Sequence, residues 1–157
     1  MKEAAMAELK LEILQEPAFA SLEEEALLNL LRASDCLSRA LHLKTRAWGV
    51  SSTQYNVLRI LRGAHPNGLT CSAIRERMIT AEPDITRLLA RLMALKLIRQ
   101  RRDAQDRRVV WTCIAEAGLT LLREMDPVIL AAPKELLGGL SQAELTELIR
   151  LLERVHG

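Results

Sequence analysis

The chain has 157 residues, 49% hydrophobic and 27% charged, which is the size and balance of one globular domain and excludes a disordered chain. Aromatics make up only 3%, and a core of leucine and alanine favours helices, so a mostly α protein with one small β-hairpin is predicted. The formal net charge of +2 taken alone argues against a nucleic-acid binder, and no window approaches the ~18 apolar residues of a membrane span.

The distribution of charge reverses that impression. Residues 41–110 hold 14 of the 22 Lys and Arg but only 5 of the 20 Asp and Glu, so a basic middle lies between two acidic ends. A chain whose middle touches DNA and whose ends touch each other has this profile. Cys36, Cys71 and Cys113 offer neither a disulfide framework nor a Cys-x-x-Cys zinc pair, which suits a reducing cytoplasm. The first residues lack the apolar core of a signal peptide. His42, His65 and His156 are scattered and make no metal-ligand set. With no glycine-rich phosphate loop, nucleophile elbow or clustered carboxylate–histidine set, no cofactor is expected and the chain does not read as an enzyme.

In chain order, residues 2–15 read as a short helix with Ala5, Leu9 and Ile13 on one side, broken at Pro17. Residues 1–20 thus form an N-terminal helical arm. Ser21 with Glu24 is a capping box opening a long helix over 21–47, in which Leu27, Leu30, Ser34, Leu37 and Leu41 recur at 3 and 4 and Gly49 ends the run. So narrow a seam packs along other helices. Ser52 or Thr53 caps the next helix, with Tyr55, Leu58 and Ile60 or Leu61 inward, up to the turn signal Pro66-Asn67-Gly68.

Thr70 caps a helix of about two turns, with Cys71, Ile74 and Met78 on one face. Pro83 suits the first position of another helix, whose apolar stripe is Ile85, Leu88, Leu89, Leu92 and Leu95. The opposite face carries Pro83, Thr86, Arg87, Ala90 and Ala94, with Arg91 on its flank. Small residues, a hydroxyl and guanidiniums on one face suit close approach to a DNA major groove. Residues 98–102 and 108–114 then read as strands joined by a polar turn over 103–107, a wing. In Asp106-Arg107-Arg108 the carboxylate would orient one guanidinium while the other reaches a minor groove or a phosphate. Arg75 and Arg77 are candidate phosphate contacts, although the charges of a solvated face look the same.

Two short helices followed by an arginine-rich hairpin have the layout of a winged helix-turn-helix. The segment 69–114 resembles the MarR family of bacterial transcriptional regulators, whose wing typically carries Asp-Arg-Arg before an apolar strand. Its recognition helix often reads Val-Thr-Arg-Leu where this chain has Ile85-Thr86-Arg87-Leu88. Two departures stand out. Ile114-Ala115-Glu116-Ala117-Gly118 replaces the Leu-Thr-x-x-Gly of many members, so the next helix has no threonine cap. Glu82 and Asp84 put acid near the start of the recognition helix, where a carboxylate repels phosphate but suits the helix N-terminus and could accept from cytosine N4.

Beyond the wing a helix runs over 116–125, Pro127 and Pro133 interrupt its continuation, and Gly138-Gly139 stops it. Ser141 with Glu144 is a second capping box, followed by Leu145, Leu148, Leu152 and Val155. The predicted architecture is a winged helix-turn-helix lobe over 50–115 flanked by dimerisation helices over 21–48 and 116–157, one intertwined domain. The end segments present apolar seams that the small lobe cannot cover, so a C₂ homodimer is expected. It would set two recognition helices about one DNA turn (~34 Å) apart on a pseudo-palindrome.

The resemblance implies a sequence-specific regulator of double-stranded DNA, in the first instance a repressor, released by a small aromatic or amphipathic effector. Trp48 and Tyr55 would line the effector cleft, or else close a core. Two alternatives remain. The acidic Glu82 and Asp84 would suit a protein-interaction module that has lost DNA binding. Some MarR-like regulators sense oxidants through a cysteine in the region of Cys36, although the peroxide-sensing subgroup carries it nearer the start of that helix, where this chain has leucines; Cys71 and Cys113 read as packing residues.

Overall fold

Leucine-rich stripes at helical spacing produce seven helices among the described residues, and the one run of alternating, β-branched character produces a hairpin. The computed structural model describes residues 9–14 and 19–156. By contacts the chain divides into two units, Met1–Ala40 and Leu41–Gly157.

In the first unit, α1 (Leu9–Glu12) is the described part of the helix expected over 2–15; Ala5 and Pro17 lie outside the described residues. Glu12 pairs with Arg32 at 3.1 Å. The second helix, α2 (Leu22–Arg46), starts at the predicted Ser21 cap, Glu24 N donating to Ser21 Oγ at 3.2 Å, while the returning bond falls one residue earlier than a capping box would put it, the Glu24 carboxylate accepting from Ala20 N at 2.6 Å. Its Leu22, Leu27 and Leu31 side chains stay exposed.

The second unit is built on α3 (Ser52–Gly63). Its cap is Ser51, one residue before the predicted Ser52 or Thr53, because Gln54 completes a reciprocal box that a cap at either later residue would not have: Ser51 Oγ accepts from Gln54 N at 3.1 Å and Gln54 Oε1 accepts from Ser51 N at 2.8 Å. Val57, Leu58 and Leu61 are fully buried. The chain turns through 64–68 into α4 (Cys71–Arg75), capped by Thr70 as predicted, and tighter bonds carry the turn on to Met78.

Next comes α5 (Ile85–Ala94), which buries Ile85, Leu88, Leu89 and Leu92. Its start differs from the expectation. Asp84 is the N-cap, its carboxylate accepting from Arg87 N at 2.9 Å, so Pro83 precedes the helix instead of opening it. An aspartate side chain satisfies an orphan N–H, which proline cannot do. Its end also differs: Lys96 adopts φ 58°, Leu97 N donates back to Leu92 O at 3.0 Å, and Leu95 leaves the stripe for solvent.

Strands β1 (Ile98–Arg102) and β2 (Val110–Ile114) pair antiparallel, Ile98 opposite Ile114 and Arg102 opposite Val110. The second strand begins two residues later than predicted, since Arg108 and Val109 belong to the turn: Val109 N donates to Asp106 O, and its carbonyl accepts from Asp103 N, both at 2.9 Å. Leu69 bridges to Thr112 along the outer edge of β2.

The sixth helix, α6 (Glu116–Leu137), runs unbroken through Pro127 and Pro133, where an interruption was expected. Both prolines are exposed, while Leu122, Met125, Ile129 and Ala132 bury one face and carry the helix across the missing N–H groups. Ala115 caps α6 with no side-chain bond, as the missing threonine implied. At its start Gly118 lies so close to Leu97 O that a Cβ would sit 2.3 Å from it. The last helix, α7 (Gln142–His156), opens on the predicted Ser141–Glu144 box and buries no residue; Ile149, Leu151 and Val155 are exposed.

Candidate nucleic-acid interface

Packing Ile85, Leu88, Leu89 and Leu92 into the core turns the opposite face of α5 outward. Thr86, Arg87, Ala90 and Arg91 are all exposed on it. A helix of 10 residues is about 15 Å long, and nothing bulkier than arginine stands on this face. The acid at its start is already engaged: Asp84 caps the helix, and Glu82 accepts from Asp84 N at 3.2 Å. Both carboxylates also lie where the helix dipole favours negative charge. Of the α4 pair, Arg75 is exposed and Arg77 folds back to donate to Ala73 O at 2.6 Å.

The wing tip is fixed almost entirely by polar contacts. Asp106 Oδ1 accepts from Arg108 N at 2.9 Å, and the Arg108 guanidinium stands 3.5 Å from the same oxygen with its side chain 95% exposed. Asp106 therefore bends toward Arg108 mainly through the backbone, since so exposed an ion pair is weak. Arg102 donates to the Arg107 carbonyl at 2.8 Å, and the Arg107 side chain is exposed.

Asp103, which the sequence reading passed over, organises the whole tip. Its Oδ1 accepts from Gln105 N at 2.9 Å and Asp106 N at 3.1 Å, and its Oδ2 accepts from the Trp111 indole at 2.9 Å. The indole bond first, then the two amides, hold this carboxyl below the usual aspartate value. Arg101 stands 5.7 Å from the Trp111 ring centre and donates to Asn67 O at 3.2 Å. Arg99, Arg101 and Arg102 are exposed as well, so β1 extends the basic surface beyond the tip. Hairpin pairing could have revealed Arg101 opposite Trp111, and Asp103 two residues before Gln105 is ordinary Asx-turn chemistry.

Trp48 and Tyr55 meet at the hydrophobic core of this unit, Tyr55 within it and Trp48 packed against it. Burial raises the Tyr55 pKa, opposed by Arg59, whose guanidinium is 5.9 Å from the ring centre. The Tyr55 hydroxyl and Asp126 Oδ1 are buried without a hydrogen-bond partner among the described residues, while Asp126 Oδ2 accepts from Arg62 at 2.7 Å. Cys36 is exposed, Cys71 half-buried and Cys113 buried. No group of three or more candidate metal ligands occurs among the described residues, and none of the described helices is long and apolar enough to cross a membrane.

A two-helix unit, an outward helix face and a basic hairpin recur in known proteins. A MarR family model matches residues 48–109. The chain is 39% identical to a MarR transcription factor from Planctomyces limnophilus, covering 87% of this chain and 98% of that one with a TM-score of 0.68. The chain belongs to the MarR family. MarR proteins are transcription regulators, and the chain is also 28% identical over 107 residues to the HTH-type transcriptional regulator MhqR of Bacillus subtilis, 68% of this chain and 72% of that protein. A mutant MarR from E. coli, solved with operator DNA, is 20% identical with a TM-score of 0.77 over 88% of this chain and all of that one. At that identity it shows the shared winged-helix fold.

Proposed function

We propose that this MarR-family regulator binds double-stranded DNA sequence-specifically as a homodimer on a pseudo-palindromic operator and acts as a repressor. The observation that carries the reading is the uncovered face of α5, where Thr86, Arg87 and Arg91 stand exposed opposite a fully buried stripe. Arg87 and Arg91 read guanine edges or phosphates in the major groove, with Thr86 beside them. Arg107 and Arg108 reach the flanking groove or backbone, Asp106 holds the turn beneath them, and Arg75 and Arg77 neutralise phosphate. The E. coli relative solved with operator DNA supports the same use of the fold.

Dimerisation accounts for the exposed apolar residues of the end segments, Leu22, Leu27 and Leu31 in α2 and Ile149, Leu151 and Val155 in α7. Helices over 21–48 and 116–157 form the dimer platform and 50–115 the DNA-binding lobe. A small aromatic or amphipathic effector near Trp48 and Tyr55 changes the separation of two lobes and so the population that fits the operator. The acidic start of α5 does not favour a protein-interaction module, because both carboxylates already serve the local backbone.

The test is anisotropy titration of the protein's own upstream DNA and an unrelated duplex across a salt series. Tight, salt-sensitive preference for the upstream fragment is expected. Arg107→Ala should weaken binding to both duplexes and lower the salt slope by about 1, whereas Arg87→Ala should also relax base preference, by about 1–3 kcal/mol at the contacted base. Failure to bind either duplex at low salt would refute the reading, and full-strength binding by either variant would remove its assigned role.

A further inference from the structure

The wing contains an internal brace made by residues that need not touch DNA. A two-stranded hairpin is marginal by itself, and the strands here are five residues each with an exposed tip. The core cluster among the described residues includes none of residues 103–109, so the turn takes its shape chiefly from polar contacts. One side chain supplies most of them. Asp103 ties two amides of the turn with one oxygen and the indole of Trp111, on the opposite strand, with the other. The indole is in turn located by the Arg101 guanidinium, which is anchored on the carbonyl of Asn67 in the turn before α4. That carbonyl also accepts from Cys113 Sγ at 3.5 Å. A continuous path thus runs from the floor of the lobe through Arg101, Trp111 and Asp103 to the backbone that carries Arg107 and Arg108.

We propose that Asp103 and Trp111 are positioning residues for the wing arginines: their carboxylate–indole hydrogen bond holds the 103–109 turn in the conformation that presents Arg107 and Arg108. The inference rests on the DNA-binding reading above. A carboxylate with three donors is pinned at both oxygens. With the indole donor lost, Oδ2 is released, the turn joins β2 only through its own backbone, and DNA must then order the tip as it binds. Ordering a rotamer-rich side chain on binding lowers affinity by roughly 3- to 10-fold.

The experiment compares wild type, Asp103→Asn and Trp111→Phe, each alone and in an Arg107→Ala/Arg108→Ala background, for binding at low salt to upstream and unrelated duplexes. Asparagine keeps an oxygen for the two amides but turns an N–H toward the indole; phenylalanine keeps a ring beneath Arg101 and loses the donor. Each variant is expected to lose roughly 3- to 10-fold in affinity for both duplexes, with their ratio unchanged. The combined Asp103→Asn/Trp111→Phe protein should be no weaker than either alone. In the arginine-free background neither change should matter, a result that a purely structural defect would not give. Wild-type affinity in both variants, or a loss that persists without the wing arginines, overturns the inference while leaving DNA binding intact. Wild type that binds neither duplex fells the DNA-binding reading, and the positioning role with it.

Discussion

One substitution, glycine to alanine, should have three different effects at three positions. Gly68 has φ 82°, and an added Cβ would lie 2.5 Å from both Thr112 O and Cys113 Sγ. The left-handed backbone alone costs an L-residue about 1–2 kcal/mol. Relieving the clash means parting Leu69 from Thr112, whose two bonds measure 2.9 and 2.8 Å and contribute about 1 kcal/mol each. The expected loss is therefore about 3–4 kcal/mol, a large share of the roughly 5–15 kcal/mol that holds a domain folded. Gly49 has φ 72° but open space around it, so strain alone acts, partly offset by the stiffer unfolded chain, for a loss of about 0.5–1 kcal/mol. Gly63 ends α3 without a positive φ or a close neighbour, and alanine there should stabilise by up to about 1 kcal/mol. Urea unfolding followed by circular dichroism at one fixed protein concentration measures all three, with equal m-values as the check on comparability. A Gly68→Ala protein within 1 kcal/mol of wild type would refute the reasoning about the Leu69–Thr112 bridge.

Three further outcomes follow from the same geometry. Asp84→Ala should cost about 1–2 kcal/mol by removing both the cap of α5 and a charge at its N-terminus, while Asp84→Asn keeps a cap oxygen and loses only the charge, so it should cost about 0.5 kcal/mol and its DNA affinity should rise; equal loss of stability in both, read by thermal melts, would deny the capping role. Lys96→Gly should stabilise by about 0.5–1 kcal/mol, because relief of the φ 58° backbone outweighs the extra freedom of glycine, and a lower urea midpoint would contradict that backbone conformation. The Asp103 carboxyl is held below its ordinary value, chiefly by the Trp111 indole; its contribution is complete above the unfolded carboxylate range near 4 and is lost as pH falls through the lower folded value. The Trp111 indole N–H resonance should therefore stay fixed down to about pH 4 and move below it, and movement at higher pH, or an identical titration in Asp103→Asn, would contradict the latch.

Much of the fold was legible because its determinants are local. The Ser21 and Thr70 caps, the Ser141 box, the stripe of α5 and the β-branched run of β2 each need only a few neighbouring residues to declare themselves. The errors have physical reasons of the same scale. Pro83 offered the φ of a first helical residue, but Asp84 offers an acceptor, and an orphan N–H prefers the acceptor. Lysine at the left-handed position after α5 gave no glycine signal for the end of the helix. Pro127 and Pro133 looked like breaks because the sequence does not show that a buried face on the other side holds α6 together. On the candidate surface Arg87, Arg91, Arg107 and Arg108 were visible as charges on an exposed pattern. Asp103 and Trp111 were not, since their meeting depends on the register of the hairpin and on a turn whose true length, 103–109, exceeds the expected one.

The anchoring of the lobe also constrains how the proposed regulation can work. Helix α5 ends in a junction where Leu97 O accepts from Ala115 N at 3.0 Å and leaves no room for a side chain at Gly118. The wing starts at the residue after that junction and is tied at Leu69 and Asn67 to the turn before α4. Helix α5 and the hairpin are thus clamped to one core through three separate segments, and moving one against the other would break buried packing and several hydrogen bonds at once. Softer connections lie in α6, where Pro127 and Pro133 each leave a carbonyl one turn earlier without its helical donor, and where Arg62–Asp126 at its middle and Lys44–Glu135 near its end are single ion pairs with part of each partner in solvent. An effector acting within the proposed scheme therefore has little leverage on which bases one lobe prefers. Its energy is better directed to the spacing of two lobes, which a palindromic operator reads as affinity and a single half-site does not read at all.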